Sequence, residues 1–399
     1  MQNAINSILV VDDQQVVRHT LCLCLRNIGY SDVAQAENGS EAKACLNKHA
    51  FDLIFLDLNM PVEDGFSVLK YLAAVDFKGL IVLLSSEDEA LLESTTNLAR
   101  QYKLEILGCV QKPIGIGVLK DLLARGSEHI QLKHNRFVDE ITKEQIVNLL
   151  DNNHHCAFFQ PQIDLTKHQL KGLEVLARFK NVNGQLLFPD SFIPTIERDA
   201  GLMMRFTRAI ICDAFEQMTR FGHLMDELTI ALNISGKVLN DDSFPAWLKE
   251  QAEMAGLAPN RVICELTETA LNDDPNALST QMLRLRMMGF RLSIDDFGTG
   301  YSSMEQLHRL PFHELKIDKQ FVFNCLNNPK SAAIVEQSIK LATAMKMEVV
   351  AEGIECLNTE MYLKSIGCHI GQGFYYSKAV EMDELLAQWK PTQMICSEV

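Results

Sequence analysis

Short apolar runs alternate with amphipathic stretches along nearly the whole chain, and this alternation limits the fold more than any other feature. Between residues 8 and 125, five apolar runs are separated by stretches with helical periodicity. Strands that alternate with helices in this way form a mostly parallel sheet with helices on both faces. We therefore predict a doubly wound α/β domain over residues 1–125. Its predicted helices cover residues 14–28, 40–49, 64–74 and 88–102.

A second alternation begins at Cys156 and contains eight apolar runs. This number of strands, mostly separated by helical stretches, predicts a TIM-like (β/α) barrel over residues 151–399. The first two runs, within 156–178, are too close for a helical crossover, so we expect a modified barrel that starts with a hairpin. Residues 126–150 separate the domains. They begin as a polar linker and end with the helical pattern of 139–151, a predicted signalling helix.

The charge balance restricts the classes of partner. The chain has 37 basic and 52 acidic residues, a net charge of −15, which disfavours attraction to nucleic acid or to an anionic membrane. We expect no DNA-binding domain. The sequence also lacks an apolar run of membrane-spanning length and a signal-peptide pattern, so we expect a cytoplasmic protein with no membrane segment. Its 11 cysteines lack metal-ligand spacing and are expected to be reduced thiols.

Polar groups stand at the ends of four strands of the first domain. Asp12 and Asp13 end the first strand, Asp57 the third, Ser85 the fourth and Lys112 the fifth. The carboxyl ends of parallel strands share one rim, where function gathers in such sheets. Carboxylates can hold Mg²⁺ there, and a lysine can balance a phosphoryl group carried by one of them. Any one of these residues alone would be read as a solvated loop residue.

This segment resembles the response-regulator receiver family, which has a flavodoxin-like fold. The resemblance implies that Asp57 accepts the phosphoryl group, that Asp12 and Asp13 hold Mg²⁺, that Ser85 is the switch hydroxyl and that Lys112 is the conserved lysine. It also implies a histidine kinase as phosphoryl donor. One departure is Cys109, which stands where receivers often carry a mobile aromatic side chain.

Nearly every strand of the second domain ends in a group that can bind a metal ion or a phosphate. These groups are Glu174, Asn233, Glu265, Glu268, Asp295, Asp296, Lys316, Asp318, Glu352 and Gln372. Strand ends of a barrel meet at one mouth, where so many carboxylates would repel one another unless cations neutralise them. The sequence therefore predicts bound metal, and two ions suit a phosphodiester. Taken singly, each acid would more simply be a cap or a salt-bridge partner.

The segments EVLAR, LNIS, ELTE, DDFGTGYSS, ELKID, AEGIE and GQG resemble, in order, the EAL-domain family of cyclic di-GMP phosphodiesterases. The resemblance implies hydrolysis of cyclic di-GMP to linear pGpG with two Mg²⁺ or Mn²⁺ ions. It implies six metal ligands: Glu174, Asn233, Glu265, Asp295, Asp296 and Glu352. Lys316 resembles the residue that orients or deprotonates the attacking water, and with Glu174, Asp295 and Glu352 it completes the expected catalytic set.

The same resemblance implies further roles near the mouth. The expected substrate-binding residues are Gln160, Leu176, Arg178, Asp318 and Gln372. Glu268 is expected to brace the DDFGTGYSS loop, to which Gly298 and Gly300 give backbone freedom. Val175 departs from the alanine of the family signature, but in a strand its side chain points away from that of Glu174.

The leading hypothesis is a phosphodiesterase controlled by phosphorylation of Asp57. Because no expected metal ligand is missing, we prefer an active enzyme to a non-catalytic cyclic di-GMP receptor. A phosphorylation-controlled docking protein is the third hypothesis. Both families commonly dimerise, so we also expect a homo-oligomer, a dimer or higher.

Overall fold

The computed structural model of the chain describes residues 5–85, 95–96, 98–99, 102, 104–136, 141–221, 228–268, 270, 275–298 and 303–389. The chain divides into two compact units, residues 1–137 and 138–399. The helix predicted at 88–102 lies mostly outside the described residues. No helix among the described residues is both long enough and apolar enough to cross a membrane.

The first unit contains a five-stranded parallel sheet with the order β2-β1-β3-β4-β5. The strands are β1 Ser7–Val11, β2 Asp32–Ala36, β3 Leu53–Asp57, β4 Leu80–Ser85 and β5 Glu105–Gln111. The helices are α1 Gln15–Ile28, α2 Gly39–Leu46, α3 Gly65–Ala74 and α4 Ile116–Arg136. Separate apolar clusters cover the two faces of the sheet. This topology confirms the predicted doubly wound, flavodoxin-like fold.

Helix α4 continues through residues 126–136, which the sequence pattern assigned to the linker. Its first half is anchored by Leu119, Leu122 and Leu123, which are buried in the core of the first unit. Helix formation is cooperative, and each added residue costs little once a turn exists. The polar second half can therefore remain helical without an apolar stripe of its own.

The second unit is a barrel surrounded by helices. Its strands are β6 His155–Asp164, β7 Gln169–Lys180, β8 Leu186–Leu187, β9 Thr229–Asn233, β10 Val262–Thr267, β11 Arg291–Phe297, β12 Glu314–Ile317, β13 Glu348–Ala351 and β14 Ile370–Gln372. Its helices are α5 Lys143–Asp151, α6 Pro189–Glu197, α7 Ala200–Phe221, α8 Gly236–Leu239, α9 Phe244–Met254, α10 Pro275–Met287, α11 Ser303–Arg309, α12 Lys319–Asn324, α13 Pro329–Ala344, α14 Leu357–Ser365 and α15 Met382–Gln388.

Eight strands close the barrel in the order β6-β7-β9-β10-β11-β12-β13-β14, and β14 returns to β6. Strand β6 is antiparallel to both of its neighbours, whereas the other ring strands are parallel. The short connection from β6 to β7 permits only this hairpin pairing. The predicted TIM-like barrel with a modified first hairpin is therefore confirmed. Strand β8 is a two-residue addition that pairs with the end of β7.

Helix α5, within the predicted linker and signalling helix, packs on the barrel. Thr142 caps its N-terminus in a capping box with Gln145. Ile146 and Leu150 are buried in the main apolar cluster of the second unit. This burial ties α5 to the barrel rather than leaving it as a free tether.

Candidate active site

The ends of the parallel strands bring the predicted groups of the second domain to one side of the barrel. Glu174 lies on β7, Asn233 ends β9, Glu265 lies on β10 and Lys316 on β12. Asp295 and Asp296 lie near the end of β11, and Glu352 directly follows β13. Residues widely separated in sequence therefore share one small volume at the carboxyl ends of the strands.

Lys316 is the centre of this group. Its side chain is fully buried, and four carboxylates surround the ammonium group. The distances from Lys316 Nζ are 2.7 Å to Glu352, 3.0 Å to Glu265, 3.3 Å to Asp295 and 3.5 Å to Glu174. Burial opposes the charge of Lys316, but the four carboxylates hold its pKa well above the usual range.

One lysine cannot neutralise so many acids, and the carboxyl groups respond by retaining protons. Burial raises the pKa of Glu265 well above its usual range, against the attraction of Lys316. Burial and the nearby carboxylates raise the pKa of Glu352 to about 8. Burial together with Asp295 and Asp318 raises the pKa of Asp296 to about 7. These shifts indicate a site with a deficit of positive charge.

Glu174 behaves differently because its oxygens have several donors. Burial alone would raise its pKa, but Lys316, Gln372 and Asn233 together lower it. Asn233 Nδ2 donates to Glu174 Oε1 at 3.0 Å, and Gln372 Nε2 donates to the other oxygen, Oε2. Glu174 is thus held as an ionised and oriented carboxylate.

A local irregularity explains how two consecutive aspartates serve the same site. In a regular strand Asp295 and Asp296 would face opposite sides of the barrel wall. Here the register between β11 and β12 shifts between Ile294 and Phe297, and Asp296 has a left-handed backbone with a φ of 55°. A β-bulge of this kind turns the chain and redirects a side chain. Carboxylate oxygens of Asp295, Asp296 and Glu352 consequently lie within 4.8 Å of one another.

These residues fit divalent cations. Carboxylate and amide oxygens are the donors that Mg²⁺ and Mn²⁺ prefer. Glu265 is buried, yet its Oε1 atom has no hydrogen-bond partner among the described residues. A buried acceptor without a partner is costly, and a cation would satisfy it. The excess of acids over Lys316 and the grouping of Asp295, Asp296 and Glu352 indicate the same ligand class.

Glutamine side chains extend the site along the inner barrel wall. Gln372 Nε2 donates to Gln160 Oε1 at 2.9 Å, and Gln160 Nε2 donates to the Ser377 carbonyl oxygen at 3.2 Å. Gln162 Nε2 donates to Gln372 Oε1 at 3.2 Å. Gln160 and Gln372 are residues predicted for the site, whereas Gln162 was not predicted. The alternation of side chains in a strand was the available signal, because residues 160 and 162 must share a face.

Arg178, a predicted substrate-binding residue, lies close to two aromatic rings near the end of β7. Its guanidinium carbon is 5.7 Å from the ring centroid of Phe158 and 5.1 Å from that of Phe188. Arg178 Nη1 donates to the Ala177 carbonyl oxygen at 2.8 Å. Contacts with the two rings restrain the guanidinium while leaving other N–H groups for a ligand.

Leu176 and Asp318 occupy different surroundings. Leu176 lines a cavity of about 370 Å³ that runs from Glu174 and Asn233 towards α6 and α7. Asp318 is buried and caps α12, because its Oδ1 accepts a hydrogen bond from the Gln320 backbone N–H at 2.8 Å. Part of the Asp318 carboxylate is therefore committed to the helix.

Glu268 is fully buried, and its backbone N–H donates to the Asp295 carbonyl oxygen at 3.2 Å. This contact ties the end of β10 to the strand that carries two predicted metal ligands. Gly298 has a φ of 97°, a backbone conformation that favours glycine. Gly300 and the rest of residues 299–302, in the predicted loop, lie outside the described residues.

In the first unit, Lys112 joins two aspartates at the strand ends. Lys112 Nζ lies 2.6 Å from Asp12 Oδ2 and 2.7 Å from Asp57 Oδ2. Carboxylate oxygens of Asp12, Asp13 and Asp57 lie within 4.8 Å of one another, a grouping that suits Mg²⁺. Burial raises the pKa of Asp57, although Lys112 opposes the shift. Despite burial, the two aspartates raise the pKa of Lys112.

Two positions, Ser85 and Cys109, bear on the expected phosphorylation switch of this unit. Ser85 ends β4, but its side chain is outside the described residues. Cys109 Sγ lies 3.0 Å from Thr96 Oγ1, so the position of the expected aromatic carries a small hydrogen-bonded thiol.

Comparison with known families supports both halves of this description. The EAL domain model matches residues 143–379, and the response regulator receiver domain model matches residues 8–124. The chain is 29% identical over 384 residues to the cyclic di-GMP phosphodiesterase RocR of Pseudomonas aeruginosa, covering 95% of this chain and 97% of RocR. It is 34% identical over 294 residues to the probable cyclic di-GMP phosphodiesterase PdeB of Escherichia coli, covering 73% of this chain but only 54% of PdeB.

Solved structures give the same fold. The phosphodiesterase PaMucR, in complex with c-di-GMP, is 30% identical with a TM-score of 0.57, covering 61% of this chain and 98% of that chain. The EAL enzyme Bd1971, bound to cAMP and cyclic di-GMP, is 27% identical with a TM-score of 0.59, covering 76% of this chain and 77% of that chain.

Proposed function

The chain belongs to the EAL domain family and carries a response regulator receiver domain, and from this premise we propose that it hydrolyses cyclic di-GMP to linear pGpG. The observation that carries the proposal is the convergence of Glu174, Glu265, Asp295 and Glu352 around the buried Lys316. A degenerate relative kept only as a receptor would not need to preserve this costly arrangement of charge. The names of RocR and PdeB support the choice of substrate.

We assign the two divalent cations, Mg²⁺ or Mn²⁺, to the two sides of this group. One set comprises Glu174, Asn233, Glu265 and Asp295, and the other comprises Asp295, Asp296 and Glu352. When bound, the ions supply a hydroxide nucleophile at neutral pH and neutralise charge on the phosphate. Lys316 orients the attacking water, and it would accept the proton of that water only after bound cations have lowered the pKa that the four carboxylates now raise.

Residues around the mouth hold the substrate. Arg178, whose guanidinium contacts two aromatic rings, donates to a phosphate oxygen. Gln160 and Gln372 contact the nucleotide or the water, Leu176 contacts the base through the adjoining cavity, and Asp318 contributes its second carboxylate oxygen. The water oxygen bonds to phosphorus while the bond from phosphorus to O3′ breaks, and the leaving oxygen takes a proton to give the free 3′-hydroxyl of pGpG.

The test is an assay of purified full-length protein with cyclic di-GMP and Mg²⁺ or Mn²⁺, with nucleotides separated by chromatography. We expect pGpG from the wild type and at least about a hundredfold loss in Glu352→Gln, which removes a ligand charge. Glu253→Gln, at an exposed position of α9 paired with Lys249, is the matched control and should retain activity. Tight binding of cyclic di-GMP without turnover under all metal conditions would instead identify a receptor.

We further propose that phosphorylation of Asp57 by a histidine kinase controls this activity. Asp12, Asp13 and Asp57 would hold Mg²⁺, and Lys112 and Ser85 would contact the phosphoryl group. Phosphorylation changes the charge at Asp57 from about −1 to about −2 and moves it onto the phosphoryl oxygens, so Lys112 would exchange its present contact with Asp57 Oδ2 for those oxygens and the strand ends would reorganise. We propose a homo-oligomer as the unit in which this signal acts. Turnover measured with and without a phosphoryl donor tests the control, and sedimentation in both states tests the assembly.

A further inference from the structure

Gln162 lies inside the barrel beside the proposed metal site. Its side chain is 1% exposed, and it pairs across strands with Gln372, while Gln160 pairs with Glu174. Side chains two residues apart on a strand share a face, and paired residues on neighbouring strands share it too. The four side chains consequently form one polar patch on the inner wall of β6, β7 and β14.

The hydrogen bonds of this patch have a defined direction. Gln162 Nε2 donates to Gln372 Oε1 at 3.2 Å. The other end of the same amide, Gln372 Nε2, donates to Gln160 Oε1 at 2.9 Å and to Glu174 Oε2. Hydrogen bonds therefore lead from Gln162 through Gln372 to a carboxylate that we assign to the metal.

The two ends of the Gln372 amide are nearly equal in size but opposite in hydrogen-bonding character. If the amide turned over, its oxygen would face the oxygens of Gln160 and Glu174, and its NH₂ group would face the NH₂ group of Gln162. Both contacts would be repulsive in a buried site. The donor of Gln162 thus favours the orientation in which Gln372 holds Glu174.

The opposite strand makes room for Gln162. A Cβ atom on Gly172 would lie 2.9 Å from Gln162 Oε1 and 2.3 Å from Thr229 Oγ1. Any larger residue at position 172 would push against the Gln162 amide. The glycine thereby allows Gln162 to lie flat on the wall with its NH₂ group directed at Gln372.

We propose that Gln162 is a positioning residue for the phosphodiesterase reaction. It fixes the orientation of the Gln372 amide and, through it, the position of the Glu174 carboxylate, without touching metal or substrate. This inference rests on the proposed function, because the position of Glu174 matters to the reaction only if that carboxylate binds a metal ion.

The test compares Gln162→Met with the wild type, because methionine is similar in length but has no donor. Mn²⁺ binding to the chelator-treated full-length protein is measured by calorimetry, and turnover of cyclic di-GMP is measured as a function of Mn²⁺ concentration. Partners of metal ligands typically contribute about 10- to 100-fold to metal affinity, and a residue acting through one of them should contribute about tenfold. We expect Mn²⁺ to bind about tenfold more weakly and saturating Mn²⁺ to restore most of kcat.

A second variant, Gln162→Glu, retains the shape of the side chain. The carboxylate that it introduces would attract the Gln372 NH₂ group away from Glu174, so this variant should bind Mn²⁺ more weakly than Gln162→Met does. The control is Gln281→Met, which removes a buried glutamine on α10 whose amide donates to Asp242, outside this patch. It should leave the Mn²⁺ affinity unchanged.

The outcomes separate the two hypotheses. If the wild type neither binds Mn²⁺ nor cleaves cyclic di-GMP, the proposed function fails. If the wild type does both and either folded Gln162 variant binds Mn²⁺ as tightly, the positioning role is overturned. A lower Tm with unchanged Mn²⁺ affinity would identify Gln162 as a packing residue only, which also overturns the inference.

Discussion

Adding Mn²⁺ to the metal-free barrel at pH 7 should release at least about one proton per chain, because carboxylates must lose their protons to bind metal. Burial raises the pKa of Glu265 well above its usual range, so this residue can only add to the release. Glu352 has a pKa of about 8 and is roughly nine-tenths protonated at pH 7. Asp296, with a pKa of about 7, is about half protonated. All three are proposed ligands, so both ions together displace these protons.

The pH dependence follows from the sign of these shifts. A carboxyl group whose folded pKa is raised stabilises the fold below its unfolded pKa, and that contribution is lost as the pH rises through the folded value. Metal-free protein should therefore lose stability between about pH 5 and pH 8, and Mn²⁺ should remove this slope. Proton release should fall above pH 8, where Glu352 and Asp296 are already ionised.

Calorimetry in several buffers of different ionisation enthalpy gives the number of protons released, because the observed heat varies linearly with that enthalpy. Glu352→Gln should lower the release at pH 7 by about one proton, since it removes one titrating carboxyl group. The exposed Glu253→Gln variant should release as many protons as the wild type. A release below about half a proton at pH 7 would refute the reasoning, because the carboxylates would then already be ionised around Lys316.

Three other perturbations test separate parts of the molecule. Asp57→Asn should abolish phosphorylation by a small-molecule phosphoryl donor, followed by intact mass, whereas Asp76→Asn, at an exposed position, should not. Phe188→Ala should raise KM for cyclic di-GMP about 2- to 5-fold at unchanged kcat, because a cation–π contact with Arg178 contributes about 0.5–1 kcal/mol. Phe323→Ala, at an exposed position on α12, is its control. Equal KM values for the wild type and Phe188→Ala would contradict a role of the Phe188–Arg178 contact in substrate binding. Gly373→Ala should destabilise the barrel by about 1–3 kcal/mol in urea unfolding, because a Cβ atom there would lie 2.1 Å from the Ile354 backbone oxygen. An unchanged midpoint urea concentration would contradict this expectation.

The grouping of the charged residues at the strand ends could be predicted because two rules act together. Apolar runs mark the strands, and parallel strands bring their carboxyl ends to one rim. Glu265 and Lys316 are far apart in sequence, yet both end such runs and lie 3.0 Å apart in the fold. The same rules grouped Asp12, Asp57 and Lys112 in the first unit. No long-range information was needed beyond the type of sheet.

Features that depend on the register between strands could not be predicted from the sequence. Strand alternation alone would send Asp296 away from Asp295, and only the bulge in β11 brings both to the site. The importance of Gln162 depends on β14 returning antiparallel to β6, a closure that no local pattern specifies. The length of α4 was missed for another reason, because the polar sequence of residues 126–136 predicts a linker, although the helix continues through them.

The position of Lys316 explains how an acidic site remains ordered before metal binds. The Nζ atom of Lys316 lies within 3.5 Å of four carboxyl groups from different strands, and this attraction holds the acidic side chains facing one another. Because one positive charge cannot neutralise four carboxylates, the raised pKa values of Glu352 and Asp296 let protons meet part of the remaining deficit. Cations bound at the proposed site would then replace these protons without rebuilding the barrel. We therefore expect metal binding to exchange charge among side chains that are already in place, rather than to drive folding.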